Sequence, residues 1–167
     1  MHLSFFFARC QANGLYETRK FDKIYGQIEL ILRGEILKQI VQIDNVLKEQ
    51  IITLENNCEA ICNELERKYQ QEFRRFCHKI VIELIRIKNG QPTTNQDLLE
   101  ADYESFIEIG VEYDGEYYPN SYIPIWKCKM EWFQKIGYLT RRTIPQLEKM
   151  ISAIAGEMLE DIIENEK

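Results

Sequence analysis

The chain has 167 residues, 45% hydrophobic and 11% aromatic, which suffices for one domain with a packed core and is too apolar for wholesale disorder. With 27 acids against 21 Lys and Arg, the net charge of −6 argues against nonspecific attraction of the whole molecule to nucleic acid. No apolar run approaches the roughly 20 residues of a membrane span, and Leu3-Ser4-Phe5-Phe6-Phe7-Ala8 is too short for a signal-peptide core. A cytoplasmic protein with no membrane partner is the expectation.

In chain order, Leu3 to Phe7 reads as a short aromatic strand and Asn13-Gly14 as a turn. Asp22 can cap a first helix that buries Ile24, Ile28, Ile31 and Leu32, and Gly34 breaks it. Residues 1–34 thus form an N-terminal strand and short helix.

Residues 35–88 contain no Pro and no Gly. Apolar positions recur from Ile40 through Ile43, Leu47, Ile51, Leu54, Cys58, Ile61, Leu65, Tyr69, Phe73, Phe76, Ile80, Leu84 and Ile87, about 3.6 residues per step. Glu49, Glu55, Glu59, Glu66 and Glu83 fall on the opposite face. The pattern predicts one amphipathic helix over 35–88, or a helical hairpin turning at Asn56-Asn57. Unbroken, it would run to roughly 80 Å, well beyond the diameter of a compact domain of this length. Such a stripe needs cover, and a second copy packed as a coiled coil along Leu47, Ile51, Leu54, Ile61 and Leu65 would supply it.

Asn89-Gly90-Gln91-Pro92 ends that segment. Ile107, Ile109, Val111 and Tyr113 then alternate with Glu108, Gly110 and Glu112, the period of a strand with one wet face. Asp114-Gly115 is a two-residue hairpin signal, and Glu116-Tyr117-Tyr118 returns as the second strand up to Pro119. Trp126 to Tyr138 reads as a short helix with Met130, Phe133 and Ile136 inward, so residues 89–142 hold a β-hairpin and a short helix. A last helix fills 143–167, capped by Thr143, with Pro145 in its first turn and a stripe of Leu147, Met150, Ile151, Ile154, Met158 and Ile162. The whole of 1–167 is expected to be a single domain, α+β and predominantly helical, with a small antiparallel hairpin.

Charge comes in blocks. Residues 67–88 carry seven Lys or Arg against two acids, residues 89–122 carry eight acids and no base, and residues 123–142 carry five bases and one acid. Arg67, Arg74, Arg75 and Lys79 form one basic strip, and Arg141 and Arg142 belong to a second that is interleaved with Trp126 and Trp132. Together they could hold a phosphate backbone and stack bases. Tyr113, Tyr117, Tyr118 and Tyr122 cluster near the hairpin as a protein-binding surface, since tyrosine gives contact area at low entropic cost.

Chemistry is sparse. No phosphate-cradling loop, G-x-S-x-G, H-E-x-x-H or dinucleotide fingerprint occurs. Cys10, Cys58, Cys62, Cys77 and Cys128 are an odd, scattered set that suits reduced thiols; Cys58 and Cys62 fall among apolar neighbours and read as core rather than as metal ligands. Glu108 and Glu112 share one strand face and could hold a divalent cation in an enzyme. The favoured expectation is a non-enzymatic protein–protein interaction module with no cofactor, self-associating as a dimer through the long helix. The alternative is a nucleic-acid-binding regulator.

Overall fold

The computed structural model describes residues 37–165; the expected strand Leu3–Phe7 and the helix after Asp22 lie outside them. The elements are β1 (Leu37–Ile40), α1 (Asn45–Arg74), β2 (Lys79–Lys88), β3 (Gln91–Pro92), a 3-10 turn (Asn95–Asp97), β4 (Tyr103–Tyr113), β5 (Glu116–Glu131), β6 (Gln134–Thr140) and α2 (Ile144–Asn165). The strands form one six-stranded sheet in the order β1-β6-β5-β4-β2-β3, antiparallel throughout. The described residues therefore make a mixed fold of two helices and a large sheet. Neither the predominantly helical architecture nor the coiled coil holds.

Two segments account for the difference. The described part of the first, residues 37–88, divides into β1, α1 and β2. Helix α1 starts at Asp44, whose carboxylate accepts from the Leu47 N–H at 2.9 Å. It ends without Gly or Pro: Cys77 takes a left-handed φ of 56°, the Cys77 N–H bonds the Arg74 carbonyl, and the His78 N–H reaches back to Phe73. That is a Schellman closure built on a cysteine. Beyond it, β2 is apolar at Ile80, Val81, Ile82, Leu84, Ile85 and Ile87, a run that satisfies a period of two as well as one of 3.6. Its β-branched residues favour the strand. The second segment, Trp126 to Tyr138, is a strand hairpin rather than a helix, with Trp126, Cys128 and Met130 on one face and Lys127, Lys129 and Glu131 on the other.

The helices cover one face of the sheet. Cys58, Cys62, Leu65 and Phe73 of α1, Leu147, Ile151, Ile154 and Met158 of α2, and Ile80, Ile82, Ile107, Ile109, Ile123 and Ile125 of the strands make the larger core. Leu47 and Ile51 join Leu98, Tyr103, Trp126 and Cys128 in a second. The stripe on α1 is thus sealed by its own chain: Leu47, Ile51 and Leu65 are buried, and Leu54 and Ile61 pack against the larger core. Its length no longer gives a reason for a second copy.

Glu55, expected on the wet face, is fully buried. Its carboxylate accepts from Arg86 Nε at 2.6 Å and from the Tyr103 hydroxyl at 2.9 Å, while a second Arg86 nitrogen reaches Glu59 at 2.7 Å. This satisfied cluster ties α1 to β2 and β4. At the outer edge of β2, the Glu66 carboxylate accepts from the Ile82 N–H at 3.0 Å. Strand β5 runs for 16 residues through two prolines. Pro119 and Pro124 lie opposite Gly110 and Phe106, where the β4–β5 register shifts and the ladder is interrupted.

Candidate functional site

Three two-residue turns join neighbouring strands, each with both central residues at positive φ: Asn89-Gly90 (50° and 75°), Asp114-Gly115 (52° and 78°) and Trp132-Phe133 (48° and 68°). This backbone suits the twist of a hairpin and strongly favours Asn, Asp and Gly. The first two turns carry such residues. The third carries two bulky aromatic residues, for which the left-handed conformation costs about 1–2 kcal/mol each.

Neither ring recovers that cost by packing. Trp132 is 91% exposed and Phe133 fully so. The β4–β5 ladder ends at Glu104 and Lys127, and the β1–β6 ladder at Ile40 and Gly137. The Cys128 carbonyl still accepts from the Asp102 N–H at 2.8 Å, and Cys128 and Ile136 are buried. The free two-stranded ribbon is therefore residues 129–131 and 134–135, which carries the tip about 10 Å beyond Cys128 at roughly 3.3 Å per residue.

The root of the ribbon is stiff. Trp126 is fully buried and its indole N–H donates to the Leu98 carbonyl at 2.7 Å. Across the strand pair, Gly137 leaves room for that indole: a Cβ there would lie 2.0 Å from Trp126 Cη2. The Tyr138 hydroxyl donates to Glu131 at 2.8 Å, the Lys129 ammonium lies 5.8 Å from the Tyr138 ring centroid, and Lys135 stands 3.6 Å from Glu100. Met130 on the ribbon, Val41 just past β1 and Val46 in the first turn of α1 add exposed apolar surface at this end of the sheet.

The residues expected to bind partners are elsewhere. Tyr113, Tyr117 and Tyr118 are exposed around the Asp114-Gly115 turn. Tyr117 donates to Glu108 at 2.9 Å and Tyr118 to Glu116 at 2.7 Å. Tyr122 is half-buried, packs on Phe106 and donates to Glu104. Burial and the Glu104 carboxylate push its phenol well above the ordinary tyrosine range.

The two basic strips stay apart. Arg67, Arg74 and Arg75 are exposed on α1 and its C-terminal turn, and Lys79 is held by Glu112 at 2.9 Å. Arg141 and Arg142 follow β6, where Leu139 lies level with Trp126, Ser105 and Arg86. That places them three strands from β2, about 14 Å across the sheet, and several residues along it from Lys79. Trp126, proposed to stack on bases, is in the core.

Among the described residues no three His, Cys, Asp or Glu side chains converge as a metal site. Glu108 and Glu112 are engaged by Tyr117 and Lys79. Burial pushes the Cys58 and Cys62 thiols up to about 12, which keeps them protonated. An open concavity of about 360 Å³ lies between the end of α1 and the Asp114-Gly115 turn, lined in part by Arg74, Cys77, His78, Lys79 and Tyr113. Three of its lining groups pair locally: His78 stacks on Tyr113 with centroids 4.4 Å apart and bonds the Phe76 carbonyl, and Lys79 is held by Glu112.

The tip was invisible to sequence patterning because no turn residue marks it and Phe133 completes an apparent helical stripe. The one available signal was the alternation of Trp126, Cys128 and Met130 with lysines, which points to a strand entering a turn. The chain matches no family model, no curated protein and no solved structure, so its functional reading rests on its own geometry.

Proposed function

We propose that this chain is a non-enzymatic interaction module that makes its contact through the Trp132-Phe133 tip. One observation carries the reading: two adjacent aromatic residues occupy a turn whose backbone disfavours them, and both rings stand in water. An unfavourable local choice with no packing return is expected where the side chains serve a contact. Trp is also the residue type most enriched among residues that dominate binding.

A photoreactive phenylalanine analogue at position 133, expressed in the source cell, tests this directly. Irradiation should give adducts well above those from the same analogue at Glu148, an exposed site on α2. Equal yields from the two positions would overturn the reading.

Nucleic-acid binding is a second reading, supported by Arg74 and Arg75, which are exposed and make no ion pair among the described residues. It predicts binding that weakens steeply with salt and is lost in Arg74→Glu/Arg75→Glu. Failure to bind DNA or RNA at about 50 mM salt, where such contacts are strongest, would remove it.

A further inference from the structure

We infer, resting on the reading of the tip as the contact, that its partner is the interfacial layer of a lipid bilayer. The shape of the contact is the first argument. Trp132 and Phe133 form a convex apex, and two aromatic side chains offer roughly 300–500 Å² of surface. A stable protein interface takes about 800 Å² from each partner and requires a matching concavity. A bilayer requires no matching shape, and burial to a depth of about 5–10 Å suffices. The ribbon's reach allows that depth without bringing the sheet into the headgroups.

Residue chemistry agrees. Indole and phenyl groups favour the boundary between headgroups and acyl chains. Lys129 and Lys135 flank the apex on facing strands, where their stems can lie along apolar surface, and Glu131 and Glu100 beside them leave the ribbon with no net positive charge. Met130, 55% exposed and two residues from Trp132, can follow the rings into the interface.

Electrostatics set the choice of lipid. Glu112, Asp114 and Glu116 sit at the other end of the 16-residue β5, and Glu108 lies level with Tyr122 in its middle, so all four are held away from a membrane touched by the tip. Lys79, Arg74 and Arg75 lie at that far end as well, so the charge asymmetry between the two ends is small. The net charge of −6 gives no general attraction to anionic lipid. Insertion of apolar surface therefore carries the contact, and a zwitterionic bilayer is enough. The stiff root, with Gly137 under Trp126, holds the tip ready so that little ordering entropy is lost on insertion.

The molecule's two tryptophans supply the readout: Trp126 is fully buried and Trp132 is 91% exposed. The full chain is mixed with phosphatidylcholine vesicles, with and without phosphatidylserine, and followed by flotation and indole emission. The expected result is binding to both compositions, nearly independent of salt. A blue shift should come from the exposed indole, with quenching by lipids brominated near the headgroup. Trp132→Asn/Phe133→Gly keeps a turn the backbone favours and so should stay folded; its vesicle partitioning should fall about tenfold or more, with no blue shift. Absence of binding to either vesicle would overturn the inference. So would binding confined to phosphatidylserine vesicles that salt abolishes and the tip variant retains. If vesicles fail while position 133 cross-links to a protein or to a second copy of the chain, the bilayer is excluded and the tip remains the contact. If position 133 gives no excess adducts and vesicles fail, both readings fall.

Discussion

The two ends of β5 share a turn backbone and differ in the residues the turn carries. Asp114-Gly115 and Trp132-Phe133 both close two-residue hairpins at positive φ, and both hairpins set a glycine beneath an aromatic ring, Gly110 under Tyr117 and Gly137 under Trp126. At the first end local preference and conformation agree, and the neighbouring tyrosines spend their hydroxyls on adjacent carboxylates. At the second end preference is overridden, both rings stand in solvent, and the strain is held by a rigid root. The contrast teaches that identical turn geometry can serve folding at one end and presentation at the other. Residue type against φ tells which.

The largest effect should come from Gly137. In Gly137→Ala the new methyl meets an indole that is buried and hydrogen-bonded, so unfolding by denaturant should show a loss of about 3 kcal/mol or more. Moving the aromatic pair to the other turn, as Asp114→Trp/Gly115→Phe, should cost about 2–3 kcal/mol by the same measurement. Trp132→Asn/Phe133→Gly should act in the opposite direction, raising stability by about 1–2 kcal/mol while removing the contact. A loss of stability there would mean that the rings serve folding, and the contrast between the two ends would disappear.

Gly110→Ala should cost less than about 1 kcal/mol, although its methyl would lie 2.5 Å from the Tyr117 hydroxyl, because that ring is 38% exposed and can swing aside. The smallest effect belongs to Glu108. Burial, opposed by the Tyr117 hydroxyl and reinforced by Glu83, holds its carboxyl above the usual carboxylate range. The folded state therefore binds this proton more tightly than the unfolded state. Stability from this group rises as pH falls from neutral toward the ordinary value of 4.5, and is lost as pH rises through the folded value. Glu108→Gln should flatten that slope in denaturant midpoints measured across pH.

Legibility from sequence followed the coincidence of signals. The β4–β5 hairpin could be read because the alternation of Ile107, Ile109 and Val111 meets Asp114-Gly115, and α2 because its stripe begins just after Thr143 and Pro145. Strand β2 was hidden by richness: apolar on both faces, it fits helix and strand alike, and the helix before it ends on Cys77 rather than on glycine. Glu55 lies four residues after Ile51 and three before Cys58, so helical spacing sets it on the buried face. Its charge argues for the wet one, and Arg86 and Tyr103 approaching from the sheet are what let the carboxylate stay inside. The tip was lost for the reason that gives it interest, since a turn made of Trp and Phe carries no turn signal.

The carboxylate of Glu66 at the rim of β2 bears on how this molecule keeps company with itself. An incoming chain seeking to lengthen the sheet would find the amide of Ile82 already taken and a negative charge standing in its path, and Ile80 beside it shut off from water. Growth of the sheet by strand addition is blocked at that margin. A protein that leaves an indole and a phenyl ring in solvent has particular use for such a stop. Copies drawn together by their rings then meet no bare strand along that stretch on which fibrillar stacking could begin.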